Sequence, residues 1–366
     1  MVICSRLKRF IRHSRPARLA GPTPFAIHHC TVRITGSACR HADLEAPAAV
    51  YHFRPFRNSD PPRLAEIWRD QPPQRGVMQP ITAMLLEQFV FSKPYFEREG
   101  LIVATRDGEP VAFTHAGFGA NEDESDIDFT SGTTYVLMLR ADHRHAPLAD
   151  ELLVRSEDYL RDRGAKVLYG GGIRPLNAFY LGLYGGSELP GVMVTDTVFG
   201  EALLRNKYRE IDRVAILRRD LARYRPPVTR QQRMLRREAT CQETYCPPPK
   251  TWWEACTFGG MERLQFRLEQ AATRQRLADV WFWDIEPLST GWGLPTAGMY
   301  DLEVESTRRR QGLATYVLSE AFARLHTRGI MVVEAQTMQT SAPALAFYAK
   351  LGFEKVDEGI VYRKEP

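Results

Sequence analysis

Arg309-Arg310-Gln311-Gly312-Leu313-Ala314 is the stretch of this 366-residue chain whose residue types and spacing bear most directly on chemistry. It follows an alternating segment, Met299–Glu305, with Tyr300, Leu302 and Val304 on one face and Asp301, Glu303 and Glu305 on the other. It precedes apolar residues at helical spacing, Val317, Leu318 and Leu325, closed by Arg328-Gly329. A turn placed between strand and helix aims successive backbone N–H groups at one point, and the helix N-terminus adds partial positive charge. Gly312 lets the backbone approach a ligand closely, and Arg309 and Arg310 supply charge-assisted donors. The pattern predicts an anion site; taken by itself it also fits a solvated arginine run before an ordinary helix.

Other constellations are weaker. A GxxxxGK[ST] nucleotide loop is absent from the chain. Asn121-Glu-Asp-Glu-Ser-Asp-Ile-Asp128 is acidic but lacks the glycine and the distal glutamate of a calcium loop, so it reads as a solvated turn. Cys241, Cys246 and Cys256 have no Cys-x-x-Cys spacing and no nearby histidine, so no metal site is expected and free thiols in a reducing cytoplasm are.

The elements that position the loop occur twice. Arg144-His-Ala-Pro-Leu-Ala149, then Leu152, Leu153 and Leu160, then Arg163-Gly164, repeats the pattern at an offset of 165 residues. Thr134–Leu139 precedes the first copy as Met299–Glu305 precedes the second. Lys166–Tyr169 and Ile330–Glu334 follow as apolar strands, and Asn177-Ala-Phe-Tyr180 parallels Leu345-Ala-Phe-Tyr348. Upstream, Leu101–Ala104 and Val111–His115 flank an Asp107-Gly108 turn; Leu264–Leu268 and Val280–Ile285 flank a polar turn near Thr273–Arg276. Each half therefore reads hairpin, strand, turn, helix, strand, helix, strands. The expected division is a basic arm over 1–50, one unit over 51–220 and a second over 221–366, with the break near Leu221–Pro227.

Residues 302–314 resemble the strand–loop–helix signature of the GNAT N-acetyltransferases, Arg/Gln-x-x-Gly-x-Gly/Ala. Ser341-Ala-Pro-Ala-Leu-Ala-Phe-Tyr-Ala-Lys-Leu-Gly-Phe353 resembles that family's later Asn-x-x-Ala-x-x-x-Tyr-x-x-x-Gly-Phe element. The resemblance is strong over about 260–366 and weaker over about 51–220. It implies an α/β (α+β) fold of two tandem GNAT-like domains, each a mixed, mostly antiparallel sheet flanked by helices. It implies acetyl-CoA as co-substrate, held by Leu302, Val304, Arg309, Arg310, Gln311, Gly312, Leu313, Ala314 and Ser341, the last standing where an Asn is usual. It implies Tyr348 as the acid that protonates the departing thiolate, a role that suits a hydroxyl of pKa about 10 facing a thiol of about 8.5; the bland alternative is a packed aromatic. Glu303, Glu305 and Glu334 are the acids on the strands beside the thioester, with Glu303 and Glu334 the expected bases and ordered water the alternative. Pro147 stands where Gly312 stands in the second copy and removes a donor, so the first unit reads as a degenerate copy.

The expected activity is acetyl transfer to an amine of a small molecule by direct attack, in the tandem layout of mycothiol-synthase-like proteins. A non-catalytic acyl-CoA sensor or scaffold, and a protein or peptide N-acetyltransferase, are the alternatives. Charge fits this. Net charge is +5, but residues 1–50 hold eight Lys/Arg against two acids, leaving the rest near neutral and giving no electrostatic case for nucleic acid. No run reaches the roughly 18 apolar residues of a membrane span. Residues 1–50 read as a disordered arm or an over-called translation start, with a transit peptide as the alternative. A cytoplasmic monomer or homodimer is expected.

Overall fold

A computed structural model describes the backbone of Thr31–Arg33 and residues 50–365. Apart from those three residues and Val50, the arm lies outside the described residues.

The first half opens with β1 (Thr31–Arg33) paired antiparallel to β2 (Val50–Pro55). Helix α1 (Pro61–Arg69) starts on two prolines, which supply no N–H where none is needed. A short α2 (Ala83–Leu86) runs into a π-helical turn, Glu87–Phe91. Strands β3 (Leu101–Arg106) and β4 (Glu109–Ala120) form the expected hairpin, with Asp107 and Gly108 both at positive φ (53° and 87°), as a primed turn demands. β5 (Ile127–Leu139), α3 (Ala146–Asp162) and β6 (Val167–Gly170) follow in the expected order. Beyond β6 a turn-rich segment leads to β7 (Val192–Met193), α4 (Thr197–Arg205) and β8 (Arg209–Asp220).

The second half adds α5 (Arg230–Glu238), β9 (Ala239–Tyr245), α6 (Trp252–Thr257), β10 (Arg263–Gln270), β11 (Arg276–Asp284) and α7 (Glu286–Trp292). It finishes with β12 (Thr296–Val304), α8 (Leu313–Thr327), β13 (Val332–Met338), α9 (Ala342–Lys350) and β14 (Glu354–Lys364).

The strands form one mixed sheet, in the order β1-β2-β3-β4-β5-β6-β14-β8-β13-β12-β11-β10-β9, with β7 paired to β14. Neighbours are antiparallel except β5 with β6 and β12 with β13. The middle is an exchange. β14, the last strand of the second half, lies against β6 of the first, while β8, the last strand of the first half, lies against β13 of the second. β8 and β14 then pair with each other from Glu354↔Arg218 to Arg363↔Arg209. The cores mix accordingly. Tyr362 of β14 packs with α3 and α4, and Ala215 and Leu217 of β8 pack with α8 and α9. A third core joins Trp68 and Tyr180 of the first half to Trp253, Trp281 and Trp283 of the second.

One expected element stands elsewhere: the helix before the last strand of the first half is α4, Thr197–Arg205. Asn177–Tyr180 is not helical. Gly171, Gly182, Gly185 and Gly191 all take positive φ between β6 and β7, and Tyr180 itself sits at φ 66°. Glycine density and Pro175 disfavour a helix there, and burial of Phe179, Tyr180, Leu183 and Tyr184 fixes the segment as a packed loop instead.

Candidate active site

β12 passes through a 3₁₀ turn, Ser306–Arg308, before α8 begins at Leu313. Arg310 and Gly312 both lie at positive φ, 65° and 79°. Gly312 is the N-cap and offers no side-chain acceptor. The N–H groups of Leu313, Ala314 and Thr315 therefore have no acceptor within the helix and no cap. Arg309, Arg310 and Gln311 are exposed around them. Gln231 of α5 donates from Nε2 to the Gln311 carbonyl at 2.7 Å, and a Cβ at position 312 would meet that same nitrogen at 2.7 Å. The positive φ is what calls for glycine here, since the crowding atoms are the end of a flexible side chain.

Below the loop the sheet opens. β12 and β13 pair at only three positions, Thr296↔Val332, Ala297↔Val333 and Gly298↔Glu334, and then diverge. A bulge in β12 opposite Asp279–Trp281 contains Asp301, which is at φ 49°. The pocket in this wedge is walled by β12 from Met299 to Glu303, by β13 from Gln336 to Met338, by Tyr348 of α9, and by Arg174 and Glu188 of the first half. Leu302 and Val304 lie on the diverging part of β12, half-buried, and Ser341 is the N-cap of α9 without a side-chain cap bond. Tyr348 is buried against Phe353 at 5.2 Å between ring centroids. Burial, then the Glu188 charge, pushes its hydroxyl above the ordinary phenol value, so it stays a proton donor.

Charges cluster on the side facing the first half. Arg174 Nη1 lies 2.5 Å from Asp301 Oδ1 and its Nη2 3.5 Å from Glu124 Oε1; Lys250 Nζ lies 3.2 Å from Asp301 Oδ2. Burial by itself would raise the Asp301 carboxyl, but the Arg174 and Lys250 charges outweigh it and hold the group below the usual range. Burial raises Glu188 to about 7, with Arg174 opposing and Asp301 adding to the shift.

The two acids expected as bases are placed differently. Glu334 stands on the last closed rung of the β12–β13 ladder, with 0% of its side chain exposed. Its oxygens are taken by Arg75, by Arg218 Nε at 3.3 Å and by the Ser187 N–H at 2.8 Å. Both guanidinium groups lie on the Trp292 ring, 4.6 and 3.9 Å from its centroid. Glu303 is half-exposed, and Arg276 on β11 draws it away, at 3.3 Å.

The corresponding loop of the first half is closed. Arg144, equivalent to Arg309, folds back on the Leu139 carbonyl at 3.3 Å and the Asp70 carbonyl at 2.5 Å. Asp70 Oδ2 accepts from the Ala141 N–H at 2.5 Å, and His145 caps Leu148 at 3.4 Å. Pro147 occupies the first turn of α3. Tyr180, which the sequence repeat sets beside Tyr348, lies on a loop and not on α4, the counterpart of α9; it is wholly buried, its hydroxyl is 2.9 Å from His115 Nδ1 and its ring stacks on Trp68. Among the described residues no cluster of three or more His, Cys, Asp or Glu is arranged to hold a metal, and no helix is long and apolar enough to cross a membrane.

Residues 268–353, which carry the loop, the wedge and Tyr348, match the Acetyltransferase (GNAT) family. The whole described body is similar to solved structures of that fold. A tandem GNAT protein from the clavulanic acid biosynthesis pathway superposes with TM-score 0.60 at 14% identity, over 86% of this chain and 98% of that one. A GCN5-related N-acetyltransferase from Sphaerobacter thermophilus gives 0.57 at 15%, over 86% and 95%. A GCN5-related glucosamine N-acetyltransferase region of a fungal multi-domain GH3 β-N-acetylglucosaminidase gives 0.61 at 16%, over 88% of this chain but only 39% of that one. No curated relative matches the sequence. The chain is a GNAT acetyltransferase-fold protein. More particularly, its fold is similar to that of a tandem GNAT protein, and the segment that matches the family lies in the second half.

Proposed function

We propose that this chain moves an acetyl group from acetyl-CoA to the amine of a small molecule, by direct attack, in the wedge between β12 and β13. One observation carries the reading: the parallel ladder stops after three pairs and opens onto a pocket lined by Tyr348. In the same half the loop that enters α8 keeps its N-terminal N–H groups uncapped.

The residues present fit the co-substrate. Alternating positive φ at Arg310 and Gly312 and the uncapped first turn of α8 form a concave set of donors suited to a pyrophosphate, with Arg309 and Arg310 adding charge. Among the described residues the β12 edge beyond Gly298 has no strand partner on the β13 side, so its backbone groups near Leu302 and Val304 are available to an extended pantetheine arm. Bound there, acetyl-CoA supplies the thioester acyl group. Tyr348 holds a proton at its hydroxyl for the leaving sulfur. Glu334 is not a base in this reading, because two guanidinium groups and a backbone N–H already occupy it.

On this reading residues 221–366 form the reactive half, and 51–220 form a half whose cofactor loop is filled by its own side chains. The free thiols of Cys241, Cys246 and Cys256 suit a reducing compartment. The test is a thiol-release screen of acetyl-CoA against a panel of small amines, with calorimetry of acetyl-CoA on the full chain. Binding at one site per chain with amine-dependent release of CoA supports it. Tight binding without release for any amine turns the protein into a sensor and removes the proposal.

A further inference from the structure

Glu188 belongs to the first half of the chain but lines the pocket of the second. Its place is set by backbone, not by its own side chain. Ser187 donates its N–H to Glu334 at 2.8 Å and accepts from Trp283 Nε1 at 2.9 Å. The Glu188 carbonyl accepts from Gln336 Nε2 at 2.7 Å. Gly186 packs against the Glu334 carboxylate so closely that a side chain there would collide with it. Residues 186–188 are therefore pinned to β11 and β13, and the Glu188 side chain is delivered to the wedge opposite α9.

We propose that Glu188 is the general base of the site, taking the acceptor amine's proton while Tyr348 gives one to the leaving sulfur. This rests on the acetyl-transfer reading above. As the C–N bond forms and the C–S bond breaks, the amine proton passes to the Glu188 carboxylate and the Tyr348 proton passes to sulfur. Solvent then returns the proton from Glu188 to the Tyr348 phenolate, and the net reaction is amine plus thioester to amide plus thiol.

The other acids around the wedge are committed elsewhere. Glu334 is ion-paired with Arg75 and Arg218, Glu303 with Arg276, and Asp301 with Arg174 and Lys250. Glu188 is the pocket carboxylate with no hydrogen bond or ion pair to its oxygens among the described residues. The charged and titratable groups facing it are Arg174 on its own loop, Asp301 on β12 and Tyr348 on α9, with Lys250 and Glu124 behind Asp301 and Arg174. A carboxyl near 7 is matched to proton abstraction at neutral pH, whereas Asp301, held low, has little affinity for the proton. The half with the closed cofactor loop thereby supplies a reacting group to the half with the open one.

Glu188→Gln keeps the shape and removes the proton acceptor. Turnover of the full chain should fall by roughly 10²–10⁴-fold, with acetyl-CoA affinity by calorimetry unchanged within about twofold. The wild-type rate should rise with pH through about 7, as Glu188 loses its proton, and this limb should vanish in the variant. Independently of turnover, ¹³C-carboxyl NMR of the free protein should show one glutamate titrating near 7 that is missing in E188Q. An E188Q protein that keeps its rate and its limb, or a Glu188 carboxyl that titrates in the ordinary carboxylate range, overturns the assignment. Failure of the transfer reading looks different: wild-type protein would release no CoA with any amine, and the base assignment would fall with it.

Discussion

The two halves place the same elements around two loops that have met opposite fates. After β12, Arg309 and Arg310 point into solvent, Gly312 holds a positive φ and α8 starts uncapped. After β5, Arg144 is folded onto the carbonyls of Leu139 and Asp70, the Asp70 carboxylate holds the Ala141 N–H, and His145 caps α3. The first loop presents its donors; the second has spent them on its own chain. The helices before the last strands differ too: α9 carries Tyr348 to a pocket, α4 carries no tyrosine, and Tyr180 lies on a loop bonded to buried His115. The physical difference is one of donors: a loop that leaves them unsatisfied costs stability unless a ligand or water meets them, while a loop that spends them on its own chain contributes stability.

Substituting the two tyrosines should give the largest contrast. Tyr348→Phe removes one hydroxyl and leaves the packing on Phe353. Turnover should fall by roughly 10²–10⁴-fold with little change in acetyl-CoA affinity, and the loss should shrink at high pH, where the thiolate departs unaided. Tyr180→Phe should leave the rate alone and cost about 1–3 kcal/mol of stability, because His115 loses its partner in a site where burial already holds it neutral, with its pKa down to about 3. Equal effects on rate at both positions would break the comparison.

Glu334 tests whether the halves act as one body. Arg75 and Arg218 come from the first half and its exchanged strand, and both converge on this carboxylate of β13. Glu334→Ala strands two half-buried guanidinium groups and should lower stability by about 3–5 kcal/mol, measured by denaturant unfolding. Loss of turnover with unchanged stability would instead restore Glu334 as a base.

Much of this was legible locally. Gly312, the arginines, the alternating β12 and the Asp107-Gly108 turn state their geometry in their own residues. The wedge was not. Alternation places Glu334 on a strand but does not say at which rung β12 and β13 part, and the register Gly298↔Glu334 puts it on the closed side. The likeness of Asn177–Tyr180 to Leu345–Tyr348 points to a helix, but the surrounding glycines and Pro175 make a loop, and the helix before β8 is α4. Glu188 carries no local signal, since it is fixed by bonds from its neighbourhood to Trp283, Glu334 and Gln336, far along the chain. The exchange of β8 and β14 is a matter of strand order, which periodicity does not encode.

Gly312→Pro puts into the open loop after β12 the proline of the closed loop after β5. Proline cannot reach the φ of 79° found there, and the ring would meet Gln231. Acetyl-CoA should bind at least about tenfold more weakly, a loss of about 1.4 kcal/mol. Unchanged affinity in a folded variant would mean that the cradle is not built on this turn.

The smallest effect probes the closed loop from the other side. Asp70 is exposed, and its carboxylate accepts the Ala141 N–H. Asp70→Ala removes one hydrogen bond at the surface and should cost about 1 kcal/mol or less, a shift of about 2 °C in Tm. It should not open a second site. Arg144 would still be held by the Leu139 and Asp70 carbonyls, and Pro147 would still lack an N–H. Asp70→Ala with Pro147→Gly removes the carboxylate and restores the missing donor, but α4 still carries no tyrosine where α9 brings Tyr348 to a pocket. Calorimetry of the double variant should therefore still count one acetyl-CoA per chain. A second binding event would show that the first half is a masked cradle and not a lost one, and that two residues suffice to separate the two halves.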